Sequence, residues 1–166
     1  SAAHALCHAL GIHGISMTIT TACSASAGAI GIAADLIRDG TLTAALAGGS
    51  DTFAPTTLAG FDGLKATTDG FCAPFSKPIG LNLGEGSAFV MIEEYEHARA
   101  RGARILGEIL GYGMSNDAYH CSAPDPGGRG QGLAMQRAFV HSGLSPADIP
   151  YINAHGTGTA ANDKAE

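Results

Sequence analysis

Residues 21–40, TACSASAGAIGIAADLIRDG, carry the strongest indication of the fold. They follow an alternating, β-branched run at Ile15–Thr20, which predicts a β-strand. Residues 25–38 predict an α-helix that Gly40 closes. This helix carries apolar side chains on nearly every side, and a helix that is apolar all round is buried all round. We therefore predict a strand, a tight turn and a central helix sandwiched between two sheets.

Other segments on both sides of this stretch alternate between the two types of secondary structure. Helices are predicted at Ala2–Leu10, Tyr95–Arg101 and Gln131–Ser142, and strands at Thr43–Ala47, Ser87–Glu93, Ile105–Tyr112 and Tyr151–Ala154. Strands that alternate with helices indicate a mainly parallel α/β sheet. Between Gly113 and Gly130 lies a loop rich in Gly, Pro, Asp and Ser, and so long a loop is usually functional or disordered.

Composition excludes several classes of protein. Of the 166 residues, 45% are hydrophobic and 14% are charged, which is typical of a globular protein rather than a disordered chain. The net charge is -6 and the basic residues are scattered, so we expect no nucleic-acid partner. No apolar run approaches the ~20 residues needed to cross a bilayer, so we expect no membrane span.

The four cysteines bear on compartment and chemistry. They lie far apart, in no spacing typical of metal ligands, which favours reduced thiols in the cytoplasm and no metal site. Cys23 differs from the others because it lies between the predicted strand and helix. The N–H groups and the positive dipole end of a helix N-terminus would lower the pKa of its thiol and make it a nucleophile. The alternative is a buried, inert cysteine, which we favour for the other three.

His155 is the second candidate for chemistry. It follows the predicted strand Tyr151–Ala154, and ligands of α/β sheets bind at the carboxyl ends of strands. Its imidazole could donate a hydrogen bond to a developing oxyanion or enolate. Alternatively, it is a turn histidine whose ring is hydrogen-bonded to the backbone.

Asp163 and Glu166 are three residues apart and would share one face of a helix, where on their own they indicate a solvated helix start.

Five motifs occur in order along the chain: TACSAS at 21–26, AGGSD at 47–51, LGEGSAFVMIEE at 83–94, DAYHCSAPDP at 117–126 and NAHGTGT at 153–159. With them the chain resembles the β-ketoacyl-acyl-carrier-protein synthases, the Cys-His-His condensing enzymes of type II fatty-acid and polyketide synthesis. The resemblance covers nearly the whole chain and implies an internal fragment of a longer protein. It also implies the thiolase-like α/β fold, two repeated halves in five layers. Residues 1–104 would be part of the N-terminal half, and residues 105–166 would begin the C-terminal half.

The resemblance also implies a role for each matching residue. Cys23 would be the nucleophile that accepts the acyl group, and His155, with a second histidine, would bind the malonyl thioester and stabilise the enolate. Thr157 and Thr159 would hydrogen-bond the phosphopantetheine arm. Asp163 and Glu166 would be the acidic pair that holds a lysine, which replaces their interpretation as a solvated helix start.

The activity so implied is an acyltransferase reaction, a decarboxylative Claisen condensation that lengthens a fatty-acid or polyketide chain by two carbons. It needs no metal or other cofactor, because the substrates travel on phosphopantetheine. Acyl carrier protein would be the partner, and the full-length protein would form a homodimer or a heterodimer with a chain-length factor. Because the family's second histidine and lysine follow NAHGTGT, we expect these 166 residues alone to be inactive. The alternatives are a thiolase acting on coenzyme A thioesters and a non-catalytic chain-length factor.

One segment departs from the family pattern. Residues 73–82, APFSKPIGLN, stand where many relatives carry Asp after the Phe and Arg/Lys-Asp-Gly before GEG. This departure favours a specialised lipid or secondary-metabolite system over the housekeeping branch of the family.

Overall fold

The computed structural model describes residues 2–166, which form two compact units. Unit one consists of the chain up to Asp51 together with Glu85–Ile109, and unit two of Thr52–Gly84 together with Leu110–Glu166. Each unit therefore combines two separate stretches of the sequence. The proposed division into halves at residues 104 and 105 concerns an internal repeat, and it stays a prediction.

Six α-helices and two β-strands make up the regular structure of residues 2–166. The helices are α1 (Ala2–Leu10), α2 (Ala25–Arg38), α3 (Pro55–Gly63), α4 (Tyr95–Ala100), α5 (Arg129–Ser142) and α6 (Ala160–Ala165). The strands are β1 (Ala44–Asp51) and β2 (Gly86–Glu93). Short 3-10 turns lie at Ala22–Ser24 and Pro146–Asp148. None of the helices described here combines the length and apolarity needed to cross a bilayer.

The helix α2 has the predicted bounds, and it packs on β1. Ala33, Ala34 and Ile37 are buried, because their small or apolar side chains allow close packing. Ala29 and Ile32 instead line an apolar cavity of about 480 Å³. Residues 2–166 contain one sheet, so the second sheet that we predicted beside α2 is not present within the described chain.

The sheet pairs β1 with β2 in an antiparallel arrangement, from Ala44 opposite Glu93 to Asp51 opposite Gly86. The predicted mainly parallel sheet is therefore not present in the described chain. Three predicted strands, Ile15–Thr20, Ile105–Tyr112 and Tyr151–Ala154, are not strands in the structure. A strand exists only where its backbone groups pair with a neighbour, and these segments form no ladder with the rest of the described residues.

Salt bridges and a helix cap link the end of β2 to α4 and to the residue that follows α4. Glu93, whose side chain is only 10% exposed, accepts hydrogen bonds from Arg101 at 2.6 Å and from His97 at 2.7 Å. The hydrogen bond from Arg101 lowers the pKa of Glu93 to about 2, against the opposing effect of burial. Glu94 caps α4 by accepting from the His97 backbone N–H at 2.8 Å. The carboxylates therefore fix the turn from strand to helix.

Gly48 is required where β1 meets β2. A Cβ at this position would overlap the Ala88 carbonyl oxygen and lie 2.7 Å from Phe89 Cα, and both neighbours are backbone atoms of the paired strand. We expect Gly48→Ala to destabilise the full-length protein by about 1–3 kcal/mol in denaturant unfolding, because such a clash moves the ladder. Gly107→Ala is the matched control in the same unit, since its Cβ would meet nothing within 4 Å. Equal stability of the two variants would contradict this packing.

Candidate active site

Cys23 lies in the 3-10 turn Ala22–Ser24, immediately before α2 begins. The preceding Ala22 has a φ of 51°, an unusual left-handed conformation for a residue with a side chain. Ser24 stabilises the turn by donating its hydroxyl to the Thr21 carbonyl oxygen at 2.9 Å. The turn leaves Cys23 exposed at the start of the helix. The predicted turn and helix are thus present, and the nucleophilic role of Cys23 stays a prediction.

His155 is held through its backbone. The Glu166 carboxylate accepts hydrogen bonds from the N–H groups of His155 at 2.7 Å and Gly156 at 3.0 Å. It also accepts from Asn162 Nδ2 at 2.9 Å. Burial acts to raise the pKa of Glu166, but the N–H donors of Gly156 and His155 and the Asn162 amide lower it overall. An ionised Glu166 therefore fixes the backbone direction at His155, while the imidazole itself is exposed.

The threonines of the NAHGTGT motif face each other. Thr157 Oγ1 and Thr159 Oγ1 lie 3.0 Å apart, and both residues are half-buried. Gly156 precedes Thr157, and Gly158 lies between the two threonines. Their φ values of 59° and 73° are in the left-handed region that favours glycine. One hydroxyl of the pair donates to the other, so a free donor remains on the second. Such a pair can hydrogen-bond a carbonyl or amide of a ligand.

One of the two carboxylate oxygens of Asp163 accepts a hydrogen bond from another segment of the chain. Its Oδ2 accepts a hydrogen bond from the Phe75 backbone N–H at 2.9 Å. Its Oδ1 is buried and has no hydrogen-bond partner among the described residues. The carboxylates of Asp163 and Glu166 are thus hydrogen-bonded to backbone N–H groups outside α6, and their role as a pair that holds a lysine stays a prediction. A buried carboxylate oxygen of this kind suits a cationic partner.

The long loop after Gly113 has no helix or strand before α5, as predicted, but it is ordered by one carboxylate. Asp117 accepts from the backbone N–H of Asp125 at 2.9 Å and of Tyr119 at 3.0 Å. Both hydrogen bonds lower the pKa of Asp117, and the one from the Asp125 N–H has the larger effect. Nearby, the Ser122 N–H donates to His120 Nδ1 at 3.1 Å.

The structure places the predicted site residues in two groups. His155, Thr157, Thr159, Asp163 and Glu166 belong to unit two, where the contacts above join them. Cys23 belongs to unit one. Within residues 2–166, no three His, Cys, Asp or Glu side chains are grouped as metal ligands.

Sequence reasoning missed the contribution of Cys72 and Asn82. Cys72, interpreted as inert, donates its thiol to the Thr157 carbonyl oxygen at 3.2 Å. Asn82 Oδ1 accepts from the Cys72 backbone N–H at 2.7 Å. The unusual APFSKPIGLN segment, which follows Cys72 and ends at Asn82, was the one signal that pointed to this region.

Comparison with known proteins gives consistent matches along the chain. The curated relatives include 3-oxoacyl-[acyl-carrier-protein] synthase 2 of Vibrio cholerae, 42% identical over 164 residues, which cover 94% of this chain and 40% of the relative. Nodulation protein E of Rhizobium meliloti is 44% identical over 161 residues, 95% of this chain and 39% of the relative. The chain thus spans about two fifths of the length of these relatives.

Solved structures show the same similarity. One is a type II PKS acyl-carrier protein in complex with its ketosynthase, with a TM-score of 0.94 and 33% identity over 99% of this chain and 42% of that chain. Another is a ketosynthase in complex with its chain length factor from Xenorhabdus doucetiae, with a TM-score of 0.88 and 38% identity over 99% of this chain and 39% of that chain. The expected thiolase-like α/β fold is confirmed by these neighbours.

The family match covers nearly all of the sequence. Residues 1–98 match the N-terminal domain of the beta-ketoacyl synthases, and residues 106–166 match their C-terminal domain. Because both domains occur in order in one polypeptide, this chain belongs to the beta-ketoacyl synthase family.

Proposed function

We propose that the full-length protein is an acyltransferase that condenses an acyl thioester with malonyl-acyl-carrier protein. The observation that carries this proposal is that a chain of the beta-ketoacyl synthase family has Cys23 at the start of α2. The loop with His155, Thr157 and Thr159 supplies further groups that the reaction uses. The relatives named as 3-oxoacyl-[acyl-carrier-protein] synthases support the same reaction class.

In the first step, the Cys23 thiolate attacks the carbonyl carbon of the acyl thioester. A carbon–sulfur bond to Cys23 forms, the bond to the carrier breaks, and the carrier leaves as a thiolate that takes up a proton. Cys23 lies exposed in the turn before α2, where an incoming thioester can reach its sulfur.

In the second step, malonyl-carrier thioester loses its carboxylate as CO₂, and the electron pair of the broken bond becomes an enolate. The imidazole of His155 stabilises the enolate oxygen by a hydrogen bond, together with a second histidine. The enolate carbon then attacks the acyl carbonyl on Cys23. A carbon–carbon bond forms, the bond to Cys23 breaks, and the thiolate of Cys23 is regenerated.

The supporting residues have matching tasks. Thr157 and Thr159 hydrogen-bond the phosphopantetheine arm through the hydroxyl that their mutual contact leaves free. Asp163 and Glu166 hold a lysine, and the buried Asp163 Oδ1 supports a cation at this position.

The partners follow from the substrates. Acyl carrier protein delivers both thioesters, and the protein works in the cytoplasm as a homodimer or with a chain-length factor. Neighbouring structures that contain an acyl-carrier protein or a chain length factor support these kinds of partner. The reaction needs no metal or redox cofactor, because decarboxylation itself generates the carbanion.

A comparison of donors tests this function. We expect the full-length protein to extend an acyl-carrier thioester with malonyl-carrier protein, releasing CO₂, and not to condense two acetyl-CoA molecules. Product formation is measured by mass spectrometry of the carrier-bound product. Condensation of acetyl-CoA without malonyl donor would instead indicate a thiolase, and no Cys23 acylation with any donor would indicate a chain-length factor.

A further inference from the structure

Residues 72–80, here called the bracing segment, lie against the loop that bears His155 and Thr157. The Cys72 thiol donates to the Thr157 carbonyl oxygen at 3.2 Å. The Gly80 N–H donates to the Gly158 carbonyl oxygen at 2.8 Å. The Phe75 N–H donates to Asp163 at 2.9 Å. The loop is thus fastened to the bracing segment along its length.

Packing at Gly158 makes this contact close. Gly158 is buried, and its φ of 73° is in the left-handed region. A Cβ on Gly158 would lie 3.0 Å from both Cys72 Sγ and the Gly80 carbonyl oxygen. Because the Gly158 backbone is packed closely against Cys72 and Gly80, a shift of the bracing segment moves the loop as well.

Asn82 in turn fixes the start of the bracing segment. Its Oδ1 accepts from the Cys72 N–H at 2.7 Å, and its Nδ2 donates to the carbonyl oxygens of Gly70 at 2.9 Å and Thr68 at 3.1 Å. Three hydrogen bonds from one side chain close the turn that precedes Cys72. The Asn82 side chain has no hydrogen bond to the loop itself, so its hydrogen bonds reach Thr157 through Cys72.

From these contacts we propose that Cys72 and Asn82 are positioning residues for the malonyl half of the reaction. They hold the Thr157 carbonyl, and with it the backbone that carries His155 and Thr159. Their hydrogen bonds go to residues 68, 70 and 157, so we assign them no part in acyl transfer to Cys23. This inference rests on the proposed function and adds to it a division of labour between the two half-reactions.

The test separates the half-reactions in the full-length protein. Cys72→Ala removes the donor to Thr157, and Asn82→Ala removes the support behind it. For each variant we expect kcat/KM for CO₂ release from malonyl-carrier protein to fall about three- to tenfold, mainly through KM, since a net hydrogen bond is lost. Acylation of Cys23, followed by intact mass, is expected to change less than about twofold. Because both residues act through one link, the double variant loses less than the product of the single effects.

Two further variants serve as controls. Cys7→Ala makes the same substitution in α1 of unit one and leaves both half-reactions unchanged. Cys72→Ser keeps a hydrogen-bond donor and restores part of the loss in kcat/KM. Unchanged malonyl kcat/KM in both alanine variants would overturn the inference, as would an equal loss in Cys23 acylation or no recovery in Cys72→Ser. A wild-type protein that forms no acyl-Cys23 would contradict the proposed function instead.

Discussion

Cys23→Ala in the full-length protein is expected to abolish formation of the acyl-enzyme. Cys23 lies in the turn before α2, and alanine removes the only atom that can carry the acyl group in the proposed first step. Intact mass spectrometry after incubation with an acyl-carrier thioester measures the adduct. The expected result is complete loss of the mass increase.

Cys72→Ala is the matched control for this experiment, because it also removes one thiol. Its thiol donates to the Thr157 carbonyl oxygen and carries no acyl group in the proposed reaction, so acylation of Cys23 is expected to persist. An acyl adduct that survives in Cys23→Ala would overturn the assignment of the nucleophile.

His155→Ala is expected to lower CO₂ release from malonyl-carrier protein by about 10²–10³-fold, the cost of losing one oxyanion donor. The backbone at this position is held by Glu166, so the substitution removes the imidazole and leaves the main chain in place. Radiolabelled or coupled detection of CO₂ measures the effect, and acyl-Cys23 formation is followed in parallel.

His8→Ala provides the control, since His8 is an exposed histidine in α1. We expect it to retain full decarboxylation. A His155→Ala variant that decarboxylates at the wild-type rate would remove His155 from the proposed second step.

The local elements of the fold were predictable, and the pairing of strands was not. The limits of α2 follow from a run of helix-forming apolar residues that Gly40 closes, and both signals are local. The alternating run at Ile15–Thr20 only indicates that a pleated, half-buried surface suits it. Whether a partner strand lies beside it depends on distant residues, and the described chain offers none. The helix α3 was missed although Pro55 in its first turn is a recognised start signal.

The site shows the same limit. Cys23 and His155 could be selected because each lies in a contiguous motif. The bond from Cys72 to Thr157 joins residues 85 positions apart, so no local pattern predicts it. Glu166 was singled out by resemblance alone, and its hydrogen bonds to the His155 and Gly156 backbone could not be predicted because they depend on the path of the loop.

The pairing at the end of the β-ladder bears on which parts of the sequence can change in length. Asp51 and Gly86 face each other, so the polypeptide leaves β1 and returns to β2 at one place. The intervening residues form a closed excursion, and the free energy of closing such a loop changes only slowly with its length. Changes of length in exposed parts of this excursion can therefore accumulate while the ladder and the neighbouring α2 keep their geometry, whereas residues 72–82 are constrained by their hydrogen bonds to each other and to the loop that bears Thr157.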